Sequence, residues 1–74
     1  MYKAIIIEDE KPAAEHLQRL INQVDIKIDI ISIISSVDEA LVWFNNNPLP
    51  DLIFLDIQLI LKEITKHHWL LGDS

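Results

Sequence analysis

Three acidic side chains follow two apolar runs of this 74-residue sequence and could act together. Glu8 and Asp9 directly follow the run at residues 3–7, and Asp56 directly follows the run at residues 52–55. Carboxylates that converge repel one another, so they are expected to share a cation or a proton. Oxygen ligands in an open site suit Mg²⁺, and a carboxylate can attack phosphorus to form an aspartyl phosphate. These residue types therefore predict a magnesium site that could support phosphoryl transfer.

The elements that must position these acids begin with a strand and a helix. Residues 3–7 form a β-branched run with apolar residues on both faces, which is typical of a buried parallel strand. Pro12 fits the first position of a helix, where its missing N–H costs nothing. Apolar residues then recur at helical spacing and predict the buried face of this first helix: they are Ala13, Leu17, Leu20, Ile21 and Val24.

A second strand, a second helix and a third strand follow. Residues 26–34 alternate at first and then become almost wholly apolar, as in a half-exposed edge strand. Ser36 and Glu39 form a capping box at the start of the second helix. The apolar face predicted for this helix consists of Ala40, Leu41 and Phe44, with Trp43 partly buried against the sheet. Turn-forming residues at 45–50 end the helix, and residues 52–55 form the third strand.

Alternating strands and helices with short connections predict an α/β fold with a doubly wound parallel sheet. Such sheets carry their sites beyond the carboxyl ends of the strands, where the strand order reverses. In a flavodoxin-like order of 2-1-3, the first and third strands are neighbours, so Glu8, Asp9 and Asp56 would converge. Taken alone, residues 8–10 could be a solvated loop that complements a helix dipole. Taken alone, Asp56 could be a turn residue after a strand. Their shared position favours a functional site.

Composition narrows the classes of function. Six basic residues against twelve acidic ones give a net charge of −6, which opposes direct binding of nucleic acid. Cysteine is absent, so neither disulfides nor thiolate metal sites are available, and we expect a cytoplasmic protein. No apolar run is long enough to cross a bilayer. At this length we expect one small domain of marginal stability.

The two acidic motifs resemble those of response-regulator receiver domains of bacterial two-component systems, most closely the LytTR-class type. The segment Tyr2 to Ala13 is similar to their first strand and acidic loop, and the segment Asp51 to Leu59 is similar to their phosphorylation strand. The resemblance covers about residues 2–59. It implies a flavodoxin-like (CheY-like) fold, here truncated to about three strands with two or three helices.

The resemblance also implies a role for each acid. Asp56 would be the phospho-acceptor and would take its phosphoryl group from a sensor histidine kinase. Asp9 would ligate Mg²⁺ directly, Glu8 would act through a metal-bound water, and Gln58 would contribute its backbone carbonyl. Such a domain is a signalling switch in a phosphorelay and not a turnover enzyme.

The sequence departs from the family after Leu59. Residues 60–74 resemble no part of a receiver, so we divide the chain into a partial receiver at 1–59 (βαβαβ) and a non-family tail at 60–74. For residues 59–71 we favour a helix over a disordered remnant. Two further strands of the family are missing, and with them a Ser/Thr and a Lys that contact the phosphoryl group. We therefore expect a truncated domain of impaired activity.

The sequence also bears on two other functions. An aspartyl-phosphate hydrolase usually has a second Asp two residues after the nucleophile, where this chain has Gln58. A non-catalytic interaction module remains open, because the third strand would present a bare apolar edge. From that edge we expect a homo-oligomer.

Overall fold

The computed structural model describes residues 1–24, 27–56, 61, 64 and 65. Three strands alternate with two helices in the order β1 (Tyr2–Ile7), α1 (Lys11–Gln23), β2 (Ile28–Ile34), α2 (Val37–Asn46) and β3 (Leu52–Leu55). All pairings are parallel, and the strand order is β2-β1-β3. The predicted α/β class, strand order and edge position of β2 are confirmed.

The central strand β1 carries the core of the molecule on both of its faces. Ile5 and Ile6 are fully buried, and alternation along the strand sends them to opposite faces. Ile6 packs on the α1 side with Ala14 and Ile21. Ile5 packs on the α2 side, where the buried cluster also contains Ile7, Ile34 and Ala40. Each helix therefore covers one face of the sheet.

The start of α2 is fixed by its first residues. The Ser36 hydroxyl accepts a hydrogen bond from the Glu39 backbone N–H at 3.1 Å. In the usual capping box, the Glu side chain accepts a hydrogen bond from the backbone N–H of the capping Ser. Here the Glu39 carboxylate instead accepts from the N–H and the hydroxyl of Ser35, one residue before the cap. At the other end, the Asn46 and Asn47 amides donate to the carbonyls of Val42 and Trp43.

The helix faces differ in detail from the predicted ones. Ala14 is buried in place of Ala13, and Leu20 and Val24 are about half exposed. On α2, Leu41 is 58% exposed, whereas Trp43 is half-buried against the core as predicted. The sheet has three strands among the described residues, and residues at the margin of each helix's apolar face extend past these strands and remain in solvent.

The two outer strands differ in regularity. The register of β2 against β1 shifts between Ala4 and Ile5, which leaves Ile31 as an extra residue in a bulge. The pairing of β3 with β1 is regular from Leu52 to Leu55. No helix among the described residues is long and apolar enough to cross a membrane.

Only part of the predicted tail helix can be compared with the structure. Leu61, Ile64 and Thr65 are helical and exposed. The remaining residues of 57–74, and also residues 25 and 26, lie outside the described part of the chain. The predicted division of the chain at residue 59 stays a prediction.

Candidate functional site at the carboxyl ends of β1 and β3

The backbone of the acidic residues continues the hydrogen-bond ladder of the sheet. The Glu8 N–H donates to the Ile34 carbonyl at 2.9 Å, and the Asp56 N–H donates to the Ile7 carbonyl at 3.0 Å. Both residues are thus tied to a neighbouring strand one step beyond the end of their own. Their positions follow from the register of the sheet rather than from the conformation of a free loop.

The side chains of Glu8, Asp9 and Asp56 form what we call the acid cluster. One carboxylate oxygen from each residue lies within 4.8 Å of the other two. Glu8 and Asp56 are half-buried, and Asp9 is exposed. The convergence predicted from the strand order is present in the structure, while Gln58 lies outside the described residues.

Protonation of Glu8 reflects this crowding. Partial burial, then the hydrogen bond with Asp56, and then the negative charges of Asp56, Asp9 and Glu10 raise the pKa of Glu8 from 4.5 to about 7. All of these effects disfavour the Glu8 carboxylate. Near neutral pH the acid cluster thus shares a proton when no cation is present.

The donor set of the acid cluster suits a hard divalent cation. All three side chains offer carboxylate oxygens, the ligands that Mg²⁺ prefers. The exposed side chain of Asp9 leaves access from solvent, so a bound ion could keep several waters. The charge repulsion that raises the pKa of Glu8 is the interaction that a cation would relieve. The residues present therefore fit the metal that the sequence predicts.

A cavity of about 370 Å³ adjoins the acid cluster on the α1 side of the sheet. Glu8 and Asp9 form part of its wall, and Ala14 and Ile33 supply apolar surface. Lys11 is the one basic residue among the described residues of this lining. The acid cluster thus borders a recess large enough for a small group and its waters.

Asp51 is a structural residue of the site that sequence reasoning missed. Its carboxylate accepts a hydrogen bond from the Lys3 N–H at 2.8 Å, and its own N–H donates to the Lys3 carbonyl at 2.8 Å. These two bonds fasten the start of β3 to β1, and so help to place Asp56 at the other end. An Asp before a strand is common in turns, so only the strand pairing identifies this role.

The chain was compared with models of protein families, with curated proteins and with solved structures, and none of them matched. Its function is therefore inferred from the acid cluster and from the elements that hold it in place.

Proposed function

We propose that the protein is a receiver module of two-component signalling, which accepts a phosphoryl group on Asp56 with the help of Mg²⁺. The observation that carries this proposal is the acid cluster at the carboxyl ends of two adjacent parallel strands. In open parallel sheets this is the position of the binding site. The strand order β2-β1-β3 is that of the first three strands of a flavodoxin-like sheet, which we take as the parent fold.

The resemblance of residues 51–59 to the phosphorylation strand of receiver domains assigns the acceptor role to Asp56, and the bond from its N–H to the Ile7 carbonyl holds it at the end of β3. A carboxylate oxygen of Asp56 attacks phosphorus, and the bond from phosphorus to its leaving group breaks as the new P–O bond forms. The product is an acyl phosphate. The half-buried position of Asp56 limits the access of water to that product.

Glu8 and Asp9 would hold the metal. By the same resemblance, Asp9 would ligate it directly, Glu8 would act through a metal-bound water, and Gln58, which lies outside the described residues, would contribute its backbone carbonyl. Mg²⁺ in this site would neutralise negative charge on the transferring oxygens. In this role Glu8 would be deprotonated, and the positive charge of the ion would lower the pKa of Glu8.

The partner that supplies the phosphoryl group is the phosphohistidine of a sensor histidine kinase. Twelve acidic and six basic residues leave the chain with no cationic surplus for nucleic acid. Under this proposal the module is a cytoplasmic signalling component that receives a phosphoryl group and does not turn over a substrate as an enzyme does.

Acetyl phosphate can test this proposal without the kinase. The chain is incubated with Mg²⁺ and acetyl phosphate, and intact mass spectrometry is used to detect a single added phosphoryl group. Asp56→Asn should abolish the adduct. Asp51→Asn is the matched control, since Asp51 flanks β3 at its opposite end and the side-chain carbonyl of an Asn can still accept the hydrogen bond from the Lys3 N–H. This variant should keep the adduct.

The role of the metal ligands is tested separately, by the Mg²⁺ concentration that labelling requires. Asp9→Asn should raise the Mg²⁺ concentration for half-maximal labelling by at least about tenfold. Metal affinity falls by that much even when a residue that only hydrogen-bonds to a metal ligand is removed. If the protein is folded by circular dichroism and forms no adduct at saturating Mg²⁺, the receiver proposal fails. The interaction module considered from the sequence then becomes the better explanation.

A further inference from the structure

Within the described residues, no strand pairs with the backbone groups on the outer edge of β3. The Asp56 N–H bonds to β1, and in a regular parallel ladder alternate residues point their N–H and C=O groups to the same side. The backbone N–H and C=O groups of Phe54 therefore also point toward β1, while those of Ile53 and Leu55 point away from it. Within the described residues, no strand lies on that side of β3.

The side chains along this edge are apolar and accessible. Ile53 is 44% exposed and Leu55 is 50% exposed. Their partners in β1 are Ile5 and Ile7, so both side chains lie on the α2 face of the sheet. A neighbouring strand on this side would cover these two side chains and satisfy the outward backbone groups at the same time.

In the part of the chain that the structure describes, the β2 edge has features that oppose strand pairing and the β3 edge has none. On β2, the bulge at Ile31 interrupts the register, and Asp29 places a charge near the start of the strand. Bulges and charges are the devices by which edge strands avoid pairing. The four residues Leu52–Leu55 contain neither of them.

We propose that β3 pairs antiparallel with β3 of a second copy of this chain, with Ile53 opposite Leu55 of the second copy. A two-fold axis perpendicular to the sheet relates the two copies and closes the assembly as a dimer with a six-stranded sheet. Both Ile53–Leu55 pairs then lie on the α2 face. This proposal does not depend on phosphorylation of Asp56.

Charge selects the antiparallel direction. Asp51 and Asp56 flank β3. In a parallel pair, each of them would lie opposite the same residue of the second copy, and like charges directly opposite each other are destabilising. The antiparallel pair holds the two Asp56 side chains at opposite ends of the strand, roughly 13 Å apart at 3.3 Å per residue. The two acid clusters stay separate and open to solvent.

Sedimentation velocity over a range of concentrations tests the interface. Ile53→Lys should raise the dissociation constant of the dimer by about tenfold or more, because the charge enters the interface twice. Ile31→Lys is the matched control, since Ile31 is 42% exposed on the opposite edge, and it should change the constant by less than about twofold. A wild-type chain that stays monomeric at millimolar concentration overturns the proposal, and so does equal weakening by both variants.

Disulfide trapping tests the direction of pairing, because the chain has no cysteine of its own. Ile53→Cys and Leu55→Cys chains are mixed and oxidised. Residues opposite each other in a hydrogen-bonded antiparallel pair have Cα atoms about 5.5 Å apart, a separation that suits a disulfide. The mixed disulfide should predominate over both homodisulfides. Predominance of the 53–53 and 55–55 homodisulfides would indicate parallel pairing and contradict the proposal.

Discussion

At the scale of single residues, the acid cluster is a set of like charges held together by the backbone. Neither Glu8 nor Asp56 can move far from the other, because each N–H is bonded to a neighbouring strand. The repulsion is therefore relieved by a proton or a cation and not by separation. Glu8 carries the proton because its pKa is about 7.

The raised pKa of Glu8 predicts how stability depends on pH when no metal is bound. The folded-state pKa, about 7, exceeds the ordinary value of 4.5, so the folded state binds this proton more tightly. The stability contributed by protonated Glu8 is fully present below pH 4.5 and is lost as the pH rises through 7. Thermal unfolding in chelator should give a midpoint that falls across this range.

Glu8→Gln is the control for that experiment, because it keeps the shape of the side chain and removes its titration. The difference in midpoint between wild type and Glu8→Gln should change between pH 4.5 and pH 8, and saturating Mg²⁺ should reduce that change. Parallel pH profiles for the two proteins would contradict the assignment to Glu8.

Removal of one charge from the acid cluster should stabilise the metal-free protein. In Asp56→Asn, the remaining carboxylates Glu8 and Asp9 lose one source of repulsion, and an Asn can still hydrogen-bond Glu8. At pH 8 in chelator we expect the unfolding midpoint to rise by a few degrees, the shift that roughly 1 kcal/mol produces in a small domain. Asp51 lies outside the acid cluster, so Asp51→Asn should not raise the unfolding midpoint. A lower midpoint for Asp56→Asn would show that the cluster is not under repulsion.

At the scale of secondary-structure elements, the sequence predicted which elements form better than which side chains they bury. The bounds of β3 and the cap of α2 follow from local rules, namely an apolar run between turn residues and a Ser three residues before a Glu. The burial of Ala14 in place of Ala13 depends on the rotation of α1 about its axis, which is set by contact with the sheet. Helical spacing alone leaves that rotation uncertain by about one residue.

Two features of the sheet could not be predicted from residue patterns. The bulge at Ile31 lies in an almost uniformly apolar run, where alternation cannot locate an extra residue. The carboxylate of Asp51 bonds to Lys3, which is distant in sequence, and the pair exists only because the third strand lies beside the first. The convergence of Glu8 with Asp56 was predictable since strand order and strand ends determine it.

The cap of α2 gives a prediction for this element. Ser36→Ala removes the acceptor for the Glu39 N–H and should lower the free energy of unfolding by about 1 kcal/mol. Ser36→Asp supplies an equivalent acceptor, so its loss should be much smaller. Urea denaturation followed by circular dichroism measures both. Equal losses in the two variants would mean that the hydroxyl does not act as a cap.

At the scale of the whole molecule, the fold consists of two thin cores on either side of one buried strand. A domain of this size has only a few kcal/mol of net stability to lose. Among the described residues, Ile5 and Ile6 are the largest fully buried side chains, and they belong to different clusters. Damage to either face is thus expected to destabilise the entire sheet.

Truncation of the central strand tests this expectation. Ile5→Ala should cost about 2–5 kcal/mol through lost burial and the cavity left behind, enough to unfold most of the population at 25 °C. Ile31→Ala, at a site that is 42% exposed, should cost less than about 1 kcal/mol. Far-ultraviolet circular dichroism at 25 °C distinguishes the two. A cooperative, folded Ile5→Ala variant would show that the α2-side cluster contributes little to stability.

The two hydrogen bonds between Asp51 and Lys3 fix the alignment of β3 on β1. The geometry of the acid cluster depends on this alignment. A slip of β3 by two residues would carry Asp56 roughly 6–7 Å along the strand, away from Glu8. A slip by one residue would turn its side chain to the opposite face of the sheet. Any ion that needs all three carboxylates would bind only the correctly aligned chain. Metal affinity would then report on the fidelity of folding as well as on the chemistry of the site.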